Sequence, residues 1–224
     1  MPTRQERFYR GGIYHLYNRT IEGKPVFAEN RMADLFLKLL RYYRSSQAAI
    51  GYHRLKNLTI SKQAQLFQAT EYVKYHRVQI LAYCLMPNHY HLLVAQLHDG
   101  GVVSMMRSLL NSFTQYYNKS HKRFGPLFQP QFKAKSIYTD EVLTHVSRYI
   151  HLNPYSSGIV STFNDLFEYK YSSINEYCGH LEDNLCSKQQ ILALFGNSGI
   201  KYQEFLQNNA DYQRRLNEVK RLMK

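Results

Sequence analysis

HRVQILAYCLMPNHYHLLVAQ, residues 76–96, is the stretch on which the reading of this chain turns. Its first half is an unbroken run of β-forming residues. Pro87 and Asn88 interrupt that run, and the apolar pattern then resumes at once. Two strands joined across so short a break predict an antiparallel hairpin. The second strand opens with His89, Tyr90 and His91. Residues i and i+2 of a strand share a face, so the two histidines point one way and Tyr90 the other. Two neutral imidazoles on one face can hold a divalent metal together. The same pair also reads as two partly exposed polar residues beginning an edge strand. Two histidines rarely suffice for a catalytic metal, so the metal reading calls for a third ligand.

Working outward from the hairpin, GIYHLYNR (12–19) alternates and reads as a strand. AENRMADLFLKLLRYYRSS (28–46) places Met32, Leu35, Phe36, Leu39 and Leu40 on one helical face. Residues 48–71 are weakly patterned and suggest a loop with a short helix. After the hairpin, SMMRSLLNSFTQYYNKSH (104–121) reads as a helix and Gly125-Pro126 as a loop. FKAKSIY (132–138) reads as a strand. DEVLTHVSRYIHLN (140–153) reads as a helix that Pro154 terminates. The order strand, helix, strand, strand, helix, strand, helix suits an α+β fold, an antiparallel sheet with helices packed on it. Beyond about residue 160 the pattern becomes polar and helical. The expected organisation is therefore a domain over 1–160 with a basic N-terminal arm, and a helical C-terminal extension over 161–224.

The chain has 224 residues, of which 44% are hydrophobic and 14% aromatic, enough to bury a sizeable core. Its formal charge is +13, which points to a polyanionic partner, with nucleic acid ahead of a membrane surface. Excess charge can also serve solubility alone. The N-terminus lacks the apolar core of a secretory signal, and no stretch approaches a membrane span. A cytoplasmic, nucleoid-associated protein is the expectation. Cys84, Cys178 and Cys186 lack metal-binding spacing and read as buried or incidental thiols.

A second polar constellation lies in HVSRYIHLNP, residues 145–154. On one helix His145, Tyr149 and Asn153 fall at i, i+4 and i+8, a single stripe. Val142, Val146, Ile150 and Leu152 supply the expected core contacts. The Asn153 amide oxygen is a hard ligand suited to Mg²⁺ or Mn²⁺. Asn153 also reads as a cap before Pro154, and Tyr149 as ordinary amphipathic packing.

Taken together and in this order, MPNHYHLLV (86–94) and RYIHLNP (148–154) resemble the HUH single-tyrosine transposases of bacterial insertion sequences. They are most similar to the REP-associated tyrosine transposases. The block FGPLFQPQFKAKSI (124–137) is similar to the family's stretch before its last core strand, although Gln131 stands where many relatives carry arginine. The resemblance implies a ferredoxin-like HUH endonuclease core with Tyr149 as nucleophile. It implies His89, His91 and Asn153 as ligands of one Mg²⁺ or Mn²⁺. The implied activity is single-stranded DNA cleavage and strand transfer through a 5′-phosphotyrosine, at sites beside DNA hairpins such as REP-like repeats. Either a monomer or a homodimer agrees with it, and no membrane is involved. Tyr116 is the reserve nucleophile, without an asparagine four residues on.

Basic clusters provide the expected DNA contacts. RQERFYRGG (4–12) sets Arg4, Arg7 and Arg10 around Phe8 and Tyr9, with Gly11 and Gly12 able to let a base approach the backbone. NKSHKR (118–123) adds Lys119, Lys122 and Arg123. Its plain reading is a solvated helix end. Two other functions compete with the transposase: a hairpin-DNA-binding protein without catalysis, and a metal-dependent hydrolase with Tyr149 structural. The complete set of His89, His91, Tyr149 and Asn153 argues against the first. The lack of a DxD or HExxH cluster argues against the second.

Overall fold

The computed structural model describes residues 6–55, 57–181 and 183–222. In chain order the principal elements are β1 (Ile13–Arg19), α1 (Asn30–Tyr43), α2 (Tyr52–Leu55), α3 (Ile60–Glu71), β2 (Val78–Met86) and β3 (His89–Gln96). They continue with α4 (Gly101–Ser120), β4 (Lys133–Ile137), α5 (Asp140–Ser156), α6 (Ile174–Tyr177), α7 (Gln189–Ala193) and α8 (Gly199–Leu222). The strands form one four-stranded antiparallel sheet in the order β2-β3-β1-β4. With a helix after β1 and another after β3, this is the βαββαβ arrangement of a ferredoxin-like core. The expected α+β fold is therefore the observed one.

The strand order decides the surroundings of the histidines. β3 lies between β2 and β1, so it is not an edge strand. His91 is 5% exposed. The reading of the pair as an edge-strand beginning is thereby overturned, and His91 is buried, while His89 is half-buried. An interior strand is covered on both faces, which is why nearly all of β3 is buried and apolar except at its two histidines and Gln96.

Two compact units make up the chain. The first holds the described residues up to Gln79, Pro87–His89 and Val94–Ser136; the second holds Ile80–Met86, Tyr90–Leu93 and the residues from Ile137 onward. In the first, α1 buries Met32, Ala33, Phe36, Leu39, Leu40 and Tyr43 along one helical face. Phe36 meets Phe113 of α4 edge-on, with centroids 5.3 Å apart, and Phe27 edge-on at 5.0 Å. The segment 48–71 contains two helices rather than one short one. Thr59 caps the longer, α3, by accepting from the Lys62 amide.

In the second unit α5 packs against α8. Thr139 caps α5 by accepting from the Val142 amide, and Asp140 and Glu141 occupy its first turn. Pro154 does not end this helix. α5 runs on to Ser156, with Pro154 inside it and Asn153 O accepting from the Ser157 amide. A proline removes one donor from the ladder but does not prevent helical torsions at its own position. The buried face is Leu143, Ser147, Ile150, His151 and Pro154. Val142 is 42% exposed, so the expected Val142 contact with the core is incorrect. The core face is rotated because α8 covers the side bearing His151. Within the described residues, no helix is long and apolar enough to cross a membrane.

Candidate active site

The hairpin break at Pro87-Asn88 is tied down by the loop after β1. Phe27 N–H donates to Pro87 O (2.9 Å), and Thr20 N–H to Asn88 O (2.9 Å). The Thr20 hydroxyl also reaches Asn88 O at 3.0 Å and Lys24 O at 2.7 Å. The Asn88 side chain then has a defined orientation. Its Nδ2 donates to Gly23 O at 3.2 Å, which turns Oδ1 toward His89 Nδ1, 2.7 Å away. An amide oxygen can only accept, so the His89 proton resides on Nδ1 and the ring's lone pair on Nε2. Burial, and secondarily the Arg19 charge, push the His89 pKa down to about 4. At neutral pH this imidazole is uncharged, the form that binds metals.

His91 and Tyr149 are neighbours in the second unit. Their ring centroids are 5.3 Å apart and nearly perpendicular. Tyr149 is half-buried and His91 buried. Asn153, one turn beyond Tyr149, is 4% exposed. Its Nδ2 donates to Tyr149 O at 3.1 Å, which directs Oδ1 to the other side of the amide. Gln213 of α8 donates to the same carbonyl at 3.2 Å. The backbone carrying Tyr149 is thus braced from its own helix and from the C-terminal one. His145 is exposed, at the outer end of the stripe.

A third histidine of the motif region has a different role. His151 is wholly buried, and burial pushes its pKa down to about 3. Nδ1 lies 2.7 Å from the Tyr202 hydroxyl and Nε2 2.7 Å from Ser173 Oγ. Tyr202 in turn donates to Ser147 Oγ (3.1 Å), and Ser147 to Thr144 O (2.9 Å). The direction of this chain makes Nδ1 the donor nitrogen of His151. The residue joins α5 to α8 and to the segment before α6. Its neighbours in sequence do not mark it out, because Ser173 and Tyr202 are remote in the chain.

His89 in the first unit offers a neutral imidazole, and in the second unit His91 offers an imidazole and Asn153 an amide oxygen, ligand types suited to a divalent cation. No group of three or more His, Cys, Asp or Glu among the described residues could hold a metal.

Arg4 lies outside the described residues. The arm that follows it is docked on the sheet. Glu6 accepts from both the Ser136 amide and hydroxyl at 3.0 Å. Phe8 packs edge-on against Tyr14 at 4.7 Å and stacks with Phe132 at 6.3 Å. Arg10 is exposed, as is Tyr9, at 63%, while Arg7 is exposed beside them. Gly11 has φ +79° and donates to Gln96 O at 2.7 Å. At Gly12 a Cβ would collide with the Tyr14 hydroxyl, so this glycine makes room for Tyr14. Lys119 and Lys122 are exposed. Arg123 serves its own loop, donating to Asn118 Oδ1 (2.7 Å) and Pro126 O (3.0 Å). Beside it Phe124 is 95% exposed, an aromatic surface that sequence reading passed over. Tyr116, the reserve nucleophile, accepts a hydrogen bond from Arg31 on α1.

Known proteins are similar to this chain in part of its sequence and in its fold. Residues 54–153 match the family model described as "Transposase IS200 like". That stretch, just under half of the chain, is similar to the IS200-like transposases. His89, His91, Tyr149 and Asn153 lie within that stretch. Among solved structures, a REP-associated tyrosine transposase bound to a REP hairpin shares the fold, with a TM-score of 0.53 and 14% identity. The similarity covers 84% of this chain and 98% of the other. No curated protein matches the sequence.

Proposed function

We propose that the chain is a single-strand DNA endonuclease and strand transferase that uses Tyr149 as its nucleophile. The observation that carries this reading is the approach of Tyr149 to His91, at 5.3 Å between centroids, on the helix-borne face expected of a nucleophile. The similarity of residues 54–153 to the IS200-like transposases supports it. His89, His91 and Asn153 would hold one Mg²⁺ or Mn²⁺. Such an ion, when bound, supplies Lewis-acid polarisation of the scissile phosphate.

The remaining work falls to the chain itself. Tyr149 Oη attacks phosphorus in line, the P–O3′ bond breaks, and the 3′ oxygen leaves with a proton. The product is a 5′-phosphotyrosine, which a second 3′-OH can resolve by the reverse exchange, so strands rejoin without a nucleotide cofactor. The bracing of Tyr149 O by Asn153 and Gln213 limits how far the attacking oxygen can wander. Arg7, Arg10, Lys119 and Lys122, on the surface, neutralise phosphates of the incoming strand. Hairpins of the REP type are the proposed substrate context, after the solved relative.

The test is a denaturing gel. Labelled single strands containing hairpins are incubated with Mn²⁺ and wild type, Tyr149→Phe or His91→Ala. The expected result is a covalent adduct in wild type alone. An adduct that survives Tyr149→Phe refutes the assignment and moves the nucleophile, with Tyr116 tested next. Cleavage without an adduct means hydrolysis by water. Tight hairpin binding with neither means a binding protein.

A further inference from the structure

The first unit contains a cavity of about 700 Å³ that the proposed chemistry does not use. It lies among α1, α2, α3 and α4, and its volume falls within the range of small-molecule sites. Its floor is apolar, formed by Leu35, Leu39 and Leu55. Three aromatic side chains, Tyr52, Phe67 and Tyr116, line its walls. Arg31, Lys38 and Lys119 contribute the charge, and no carboxylate is among the described residues that line it. Asp34, between Arg31 and Lys38 on α1, is exposed and outside the lining.

The cations and rings are interleaved. The Lys38 ammonium stands 5.5 Å from the Phe67 centroid and 5.9 Å from that of Tyr52. The Arg31 guanidinium lies 5.5 Å from the Tyr116 centroid and donates to its hydroxyl. Aromatic faces with fixed cations beside them match a nucleotide, whose base stacks and whose phosphate is anionic. A purely apolar ligand would leave three positive groups at its edge without complement. A free anion would leave the rings and leucines unused.

We infer that this cavity takes an unpaired nucleotide of the DNA strand, its base against Tyr52 and Phe67 and its phosphate on Lys38 and Lys119. The inference rests on the strand-transfer reading for the identity of the polymer. The site is built wholly within the first unit, from residues apart from His91 and Tyr149. It accounts for the helices inserted after α1, which close the cavity with Tyr52 and Phe67. It also gives Tyr116 a role other than nucleophile.

The experiment uses the full chain and a short oligothymidylate with one photoreactive 5-iododeoxyuridine. Cross-linked peptides are mapped, and affinity is read by fluorescence anisotropy. Cross-links are expected within residues 52–67 and 112–120. Lys38→Glu with Lys119→Glu should weaken binding at least about tenfold more than Lys201→Glu with Arg215→Glu, a charge-matched pair on α8. Tyr52→Leu should weaken it about tenfold, as loss of one stacked base requires. Thermal melts of each variant separate loss of binding from loss of fold. Cross-links confined to other peptides overturn the inference, as does an equal loss in the α8 pair. A concentration-dependent dimer abolished by the same cavity variants also overturns it, since a second copy then occupies the site. The Tyr149 adduct is measured in parallel on the same protein preparations, with hairpin-containing single strands and Mn²⁺. Adduct without cavity cross-links sinks this inference alone; cavity cross-links without any adduct sink the strand-transfer reading alone.

Discussion

An asparagine side chain has one face that donates and one that accepts, and the backbone partner of the first decides the direction of the second. At Asn88 the donor face is taken by Gly23 O, so the acceptor face meets His89. The residue itself is visible in the sequence, where it reads only as a strand breaker. Its effect on the His89 tautomer depends on the position of Gly23, which sequence spacing does not reveal. Asn88→Leu is expected to lower Mn²⁺ affinity about tenfold to a hundredfold, the usual cost of losing such a partner. Titration calorimetry measures that, and nitrogen-15 imidazole spectra of the metal-free protein should show the Nδ1–H preference reduced. Asn88→Asp, which keeps an acceptor beside Nδ1, should retain that tautomer. Unchanged imidazole spectra in Asn88→Leu would defeat the assignment.

The helix that carries Tyr149 behaves as part of a pair. α5 and α8 are joined by the His151–Tyr202–Ser147 chain, by Tyr155 donating to Asp211 (2.7 Å) and by Asn217 donating to Ser156 Oγ (2.9 Å). Tyr202→Phe keeps the ring and removes the hydroxyl, leaving buried polar groups without their partner. The expected loss is about 1–3 kcal/mol in urea unfolding, whereas Tyr212→Phe, at a 62% exposed position, should stay within about 0.5 kcal/mol. Equal effects at both positions would contradict the role given to the chain. The sequence pattern located α5 correctly at its start, where Thr139, Asp140 and Glu141 are local signals. It failed at the end, because a proline's local preference is outweighed when α8 packs over the last turn.

At the scale of the whole molecule, buried histidines make stability depend on pH. The His15 pKa is pushed down to about 4, by burial first and the Lys135 charge second, and His151 to about 3 by burial. In the unfolded chain each titrates near 6.5. Between about pH 6.5 and 4 the unfolded state therefore binds more protons, and the folded state loses stability as pH falls. Above about pH 6.5 the full stability is present, and below about 4 His15 adds no further loss. For His15 the contribution is on the order of 3 kcal/mol. Urea unfolding at about pH 7 and about pH 5 should show this loss, and His15→Gln should flatten it; an identical pH dependence in the variant would refute the assignment. The net charge of +13 leads to a separate expectation for DNA. If about five phosphates are neutralised, affinity for a single strand should drop roughly a hundredfold between about 50 and 200 mM salt. An affinity indifferent to salt would place the binding energy elsewhere.

Local rules alone were enough for the βαββαβ order, the hairpin at 87–88 and the identity of His89, His91, Tyr149 and Asn153 as candidates. Strand alternation, helical period and turn residues act over a few positions, so their imprint is read directly from neighbours. What required the folded chain was every relation between distant segments: β3 lying inside the sheet, Asn88 orienting His89, α8 bracing Tyr149, and a cation-lined cavity assembled from four helices. Such contacts follow from which surfaces exclude water against one another. That choice is made over the whole chain at once, and a residue's neighbours in sequence carry little trace of it.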